Sequence, residues 1–202
     1  DNIVYVPKNI KAWYGSHTSG TYGKLGYSIP SASKTTQTLV VPKGCDLTLV
    51  NMDVLSSVRI VVENGGKLSL HDTPIQGIVE VKKGGTFSMN YNDFGDGEFL
   101  TGSSINGQLI LQDGATVVNS IIYSNTNYIA NGDETRSNIN PVVVANGNVN
   151  VIGTVVIRGD ESPMGINATT GKANPGQTGL KVNGKLNITE GSYLAVYGGG
   201  HL

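Results

Sequence analysis

Six stretches of this 202-residue chain run a short apolar strand into a glycine and out again into alternating apolar residues. They read LVVPKGCDLTL (39–49), IVVENGGKLSL (60–70), VEVKKGGTFSM (79–89), SINGQLIL (104–111), VVVANGNVNV (142–151) and LKVNGKLNI (180–188). Glycines 44, 66, 85 and 107 are 22, 19 and 22 residues apart, and the gaps to Gly147 and Gly184 are 40 and 37. The longer gaps equal two units, or one unit carrying a long insertion. A period near twenty with strands in every unit is the pattern of a β-solenoid, and it leaves little room for any other architecture.

Within each unit the apolar residues alternate, as in Leu47/Leu49, Leu68/Leu70, Phe87/Met89, Leu109/Leu111, Val149/Val151 and Leu186/Ile188. Period two puts each pair on one face of a strand. Stacking the units makes columns of such pairs, a dry interior that no single unit could bury alone. The expected fold is all-β, a right-handed parallel β-solenoid of about six to eight rungs, since parallel crossovers are overwhelmingly right-handed. At about 4.8 Å per rung the rod is roughly 30–40 Å long. The recurring glycine is expected at a corner, where the chain turns sharply. Composition agrees: 28 glycines and only 14% charged residues, with Asn, Thr and Val in abundance, suit strands and polar turns better than helices.

Residues 1–38 do not fit the repeat, and they hold five of the thirteen aromatics. They are expected to cap the solenoid, because an uncovered end rung is an adhesive sheet edge, with residues 39–202 forming the rungs of a single domain. Three segments break the rhythm at 90–106, 123–141 and 158–179, rich in Asn, Gly, Ser and Asp. They read as loops, which in repeat proteins gather on one face and build the binding site.

Net charge is −1, so no global field draws the chain to nucleic acid or to a membrane. No stretch reaches the roughly 20 apolar residues of a membrane helix. The start at Asp1, without Met or a leader, reads as a mature or excised fragment. The single cysteine, Cys45, reads as a small buried corner residue.

The near-neutral total conceals a basic end and an acidic middle. Lysines 8, 11, 24, 34 and 43 precede Asp46 with no acid between Asp1 and it, whereas Asp93, Asp96, Glu98, Asp113, Asp133 and Glu134 lie between Lys83 and Arg136 with no base. Lysines beside Trp13 and Tyr14 suit an anionic sugar polymer, since aromatic faces stack on pyranose rings and cations meet carboxylate or sulfate. The plainer reading is a solvated cap with Trp13 in the core. Asp93, Asp96 and Glu98 could hold calcium, but their spacing fits neither the twelve-residue calcium loop nor the nonapeptide repeat, so no cofactor is expected. Arg158-Gly159-Asp160 matches an integrin-type tripeptide of low specificity. Arg136 and Arg158, two of three arginines, could fork uronate carboxylates or stand as isolated surface charges. Asp46, Asp53, Glu63, Asp72 and Glu80 are scattered along the strands, with no paired-acid motif for glycoside chemistry, so no enzyme activity is expected.

The rung pattern with its Asn/Thr/Gly turns, together with NIKAWYGSHTSGTYGK (9–24), resembles the binding regions of serine-rich repeat adhesins of lactobacilli, and more loosely autotransporter passenger domains. The resemblance implies a pectate-lyase-like solenoid without a lyase role. It also implies binding of acidic polysaccharides such as polygalacturonate, and of host mucin or epithelial glycans, through Trp, Lys and Arg. Lys11, Trp13 and Arg158 match those residue types, with Arg136 an equal candidate and Tyr14 and Lys24 alongside. An adhesin module of this kind is extracellular, at the bacterial cell surface, and non-catalytic. The alternatives are a polysaccharide lyase or glycosidase on the same fold, and a self-associating stalk.

Overall fold

The computed structural model of the chain describes residues 2–15, 23–26, 37–90, 103–124, 140–160 and 176–199. Arg136, Asp93, Asp96 and Glu98 lie outside the described residues, as does most of each of the three irregular segments. Among the described residues there is no helix, and so none long and apolar enough to cross a membrane.

In chain order the strands are β1 (Ile3–Tyr5), β2 (Ala12–Tyr14), β3 (Gly23–Leu25), β4 (Gln37–Val41), β5 (Asp46–Val50) and β6 (Met52–Val54). Next come β7 (Val58–Val62), β8 (Lys67–His71), β9 (Pro74–Ile75), β10 (Ile78–Val81), β11 (Thr86–Asn90) and β12 (Ser104–Ile105). The last are β13 (Gln108–Leu111), β14 (Thr116–Tyr123), β15 (Val143–Arg158), β16 (Leu180–Ile188) and β17 (Tyr193–Tyr197). Every pairing is parallel and joins a strand to its counterpart one unit away. Three ladders result. The first is β1-β4-β7-β10-β13-β15-β16, the second β2-β5-β8-β11-β14-β15-β17, and the third β3-β6-β9-β12. The long strand β15 belongs to both the first and the second, so these form one curled 13-stranded sheet. This arrangement is consistent with the β-solenoid that the repeat predicts.

The interior is built of register columns. Leu39, Ile60, Val79, Leu109 and Val143 are consecutive partners in the first ladder, and Leu47, Leu68, Phe87, Val117 and Val151 in the second. All ten are buried in one cluster. Each unit therefore lays its apolar pair on the one below, as the alternation requires.

The glycine phase needs correcting: Gly44 is equivalent to Gly65 and Gly84, one residue before Gly66 and Gly85, and Gly107 belongs to another corner. The corner between first and second ladders is the tight turn containing Gly44, Gly65, Gly84 and Gly114, all with φ between 76° and 80°. Gly107 is at a different corner, between β12 and β13, where it passes over Gly77: a Cβ on Gly107 would lie 1.7 Å from the Gly77 carbonyl oxygen. The stretch 104–111 thus straddles the wrong turn, and the true fourth copy of that corner is DGATV at 113–117. Both glycines mark corners, which is why the spacing alone could not distinguish them.

Candidate functional site

The outward side of the second ladder alternates with the core positions, so its chemistry can be read column by column. Asp46, Lys67 and Thr86 are register partners, and so are Thr48, Ser69 and Ser88. The Ser69 and Ser88 hydroxyls are 2.8 Å apart and share a hydrogen bond. His71 follows on the same face, two residues beyond Ser69 and in register with Val50.

One layer further the surface stops being flat. Asn119 takes a left-handed backbone conformation (φ 41°), and the register of β14 against β15 slips between Val118 and Ser120. The kink is held on both sides. The Asn119 carboxamide oxygen accepts the Thr154 N–H at 3.1 Å, while the Ser120 hydroxyl accepts the Met89 N–H at 3.1 Å and donates to Val118 O at 2.9 Å. A β-bulge of this kind bends its strand and re-aims the side chains beyond it. The result is a groove of about 750 Å³, floored by the hydroxyl column and walled by Asn119, Ile121 and Thr154. It crosses β5, β8, β11, β14 and β15, four steps of about 4.8 Å, or roughly 19 Å.

Past the kink the ladder regains register, and three outward residues line up across it: Tyr123, Arg158 and Tyr197. Arg158 is exposed, and Tyr197 is 55% exposed. Thr154, in the groove wall, is in register with Tyr193, also an exposed ring. A guanidinium between two phenol rings offers a fork for a carboxylate flanked by faces for sugar rings.

The sequence candidates fall in different places. Trp13 aligns with Leu49 and packs against the core, half-buried, so the ring presented outward on β2 is Tyr14, 76% exposed. Lys11 is exposed just before β2, and its carbonyl accepts the Thr48 N–H. Lys24 is exposed on β3 of the third ladder, in register with Asp53, and so is on another side from Lys11 and Tyr14. Arg158 lies five layers from Lys11, about 24 Å along the stack. Of the described candidates, only Arg158 joins the groove's far end. Sequence reading missed Tyr123 and Tyr197, whose rank beside Arg158 depends on registers set by the kink.

Arg158-Gly159-Asp160 is not a loop tip. Arg158 is a strand residue, Gly159 is buried and donates its N–H to Tyr197 O, and Asp160 accepts the Gln177 N–H at its carbonyl while donating its own N–H to the Gln177 carboxamide oxygen. Asp46 is the one carboxylate among the described groove-lining residues. Glu63 stands at a turn, Glu80 pairs with Arg59 on the first ladder, and Asp53 is buried on the third. Among the described residues, no group of three or more His, Cys, Asp or Glu could hold a metal ion.

The three irregular segments share an origin. Each follows a second-ladder strand: β11, β14 or β15. No family model, no curated protein and no solved structure matches this chain.

Proposed function

We propose that this chain is a non-catalytic polysaccharide-binding module of a bacterial cell-surface adhesin. It would be a right-handed β-solenoid of about six to eight rungs, capped by residues 1–38, that lays an anionic, pectin-like chain across the outside of its second ladder. The observation carrying this reading is the Tyr123–Arg158–Tyr197 row beyond a hydroxyl-lined groove. Hydroxyls and amides exchange hydrogen bonds with sugar hydroxyls, the rings supply stacking faces, and Arg158 meets a carboxylate. Paired carboxylates would be needed for glycosidic hydrolysis, and a single Asp46 in the described lining favours binding over that rival.

Affinity electrophoresis in gels containing polygalacturonate tests this. The wild-type protein should be retarded, and Arg158→Ala should weaken retardation at least 10-fold, the loss of about 1.4 kcal/mol. Retardation unchanged by Arg158→Ala and by Tyr197→Ala would remove the site. Release of unsaturated or reducing sugar would replace binding with catalysis.

A second reading has its own observation. Val182, Ile188, Val196 and Tyr197, on the last described strands, are at least 40% exposed. Open apolar strand edges favour pairing with another chain, so a self-associating stalk is the alternative. Concentration-dependent sedimentation without glycan binding would select it.

A further inference from the structure

The turns joining the first and second ladders stack into an edge that runs along the molecule at right angles to the strands. One position of that turn is filled, layer by layer, by Lys8, Lys43, Asn64, Lys83 and Asp113, and Lys82 stands one residue before Lys83. The stagger is visible in the packing. The Lys8 stem lies 3.9 Å from where a Cβ of Gly44 would be, the Lys43 stem 3.0 Å from that of Gly65, and the Lys83 stem 2.7 Å from that of Gly114. Each lysine therefore leans over the glycine of the next layer, where the absent side chain leaves it room.

Lys43, Lys82 and Lys83 line a surface hollow of about 490 Å³ together with Glu63 and Asn64. The Arg59–Glu80 salt bridge is on the first ladder, and among the described residues no salt bridge involves Lys8, Lys43, Lys82 or Lys83. Counting Lys8, four cations face one carboxylate, Glu63, over the first four layers of the edge. The track ends at Asp113, whose carboxylate is engaged by the Asn148 N–H at 2.7 Å. Beyond it the edge is amide: Gln112, Asn146 and Asn183 are linked at 3.2 and 3.0 Å.

The N–H groups of the turn glycines are already taken. Gly44 N–H bonds Gly65 O, Gly65 N–H bonds Gly84 O, and Gly84 N–H bonds Gly114 O. An anion here would meet the ammonium groups and not the glycine N–H groups. These are flexible point charges that recognise charge density more than shape. One such contact is weak, but several in a row act together on a polymer that carries a charge at each repeat.

We infer that this edge is a second binding site, a lysine track for linear anionic polysaccharides bearing carboxylate or sulfate groups. It is distinct from the second-ladder groove and does not depend on it. The track runs over four layers, three steps of about 4.8 Å, so the polymer would lie along the rod and not across it.

The test is retention of the wild-type protein, of Lys43→Gln/Lys82→Gln/Lys83→Gln, and of Arg158→Ala on immobilised polygalacturonate, dextran sulfate, neutral dextran and single-stranded poly(dT). Wild type should be retained on polygalacturonate or dextran sulfate and released by salt, and which of the two holds it identifies carboxylate or sulfate. The triple variant should lose at least 10-fold in affinity with unchanged circular dichroism, and galacturonate monomer should not compete. Arg158→Ala should lose the groove's share of the polygalacturonate retention, and the triple lysine substitution added in that background should remove at least a further 10-fold, so failure of the groove and failure of the track read out separately. Equal retention of wild type and triple variant overturns the inference. So does retention on neutral dextran, on poly(dT) alone, or on none of the four.

Discussion

Cys45 sits in an inward turn column whose other members are Gly66, Gly85 and Ala115, and the carbonyls of Cys45, Gly66 and Gly85 accept the N–H groups of Lys67, Thr86 and Thr116 in the next layer. The column accepts only small side chains, because a Cβ at Gly66 would already approach the Val41 carbonyl oxygen to 2.5 Å. Cys45 is 1% exposed, and burial pushes its thiol up from the ordinary value of 9.0; Asp46 adds to the rise and Lys11 opposes it. The folded protein therefore holds this proton more tightly than the unfolded chain does. As pH rises past 9.0 the unfolded chain ionises first, so the thiol's contribution to stability falls from there until the folded thiol also ionises. Urea midpoints at pH 8 and 10 should drop more for wild type than for Cys45→Ala, and native Cys45 should resist thiol reagents at pH 8. A steeper drop in the alanine variant would contradict this. The buried, small character of this position was legible in the sequence, because Cys follows Gly44 where Gly follows Gly65 and Gly84. The phase of Gly107 was not, because glycine serves both corners: one for its left-handed conformation, the other for close backbone approach.

Single strands show how far alternation carries. In β11, Phe87 and Met89 point inward and are buried, while Ser88 faces the groove. Phe87→Ala should cost about 3–5 kcal/mol in a denaturation experiment, and Ser88→Ala about 1 kcal/mol or less. Equal costs would mean that the faces are assigned wrongly. The long strand β14 is where alternation misleads. Its sequence, TVVNSIIY, doubles the apolar residues on each side of Asn119-Ser120. That doubling is the trace of a one-residue slip, and read as a bulge it would have placed Tyr123 outward. What the sequence alone could not supply is the partner of the slipped half, since Tyr123 meets Arg158 only through the register of β15.

At the scale of the whole molecule, the shared apolar core is separate from the polar outer surfaces. The first and second ladders share one core, whereas the charges are divided among an edge, a groove and a flank. The twenty-residue beat made the stack legible, and composition excluded helices. The proposed binding surface was less so, because it gathers by register outward residues that range along the chain from Ser69 to Tyr197. Lys11 and Lys24 look like neighbours in the chain, yet they leave from different ladders. The irregular segments were visible as interruptions, but their common attachment to the second ladder needed the pairing. The central claim is that this ladder's outer side takes an acidic polysaccharide. Two-dimensional NMR of the labelled protein titrated with oligogalacturonate tests it most directly. The account predicts shifts concentrated at Ser69, Ser88, Asn119, Tyr123, Arg158 and Tyr197. Shifts confined to the first or third ladder, or none at saturating sugar, would contradict it.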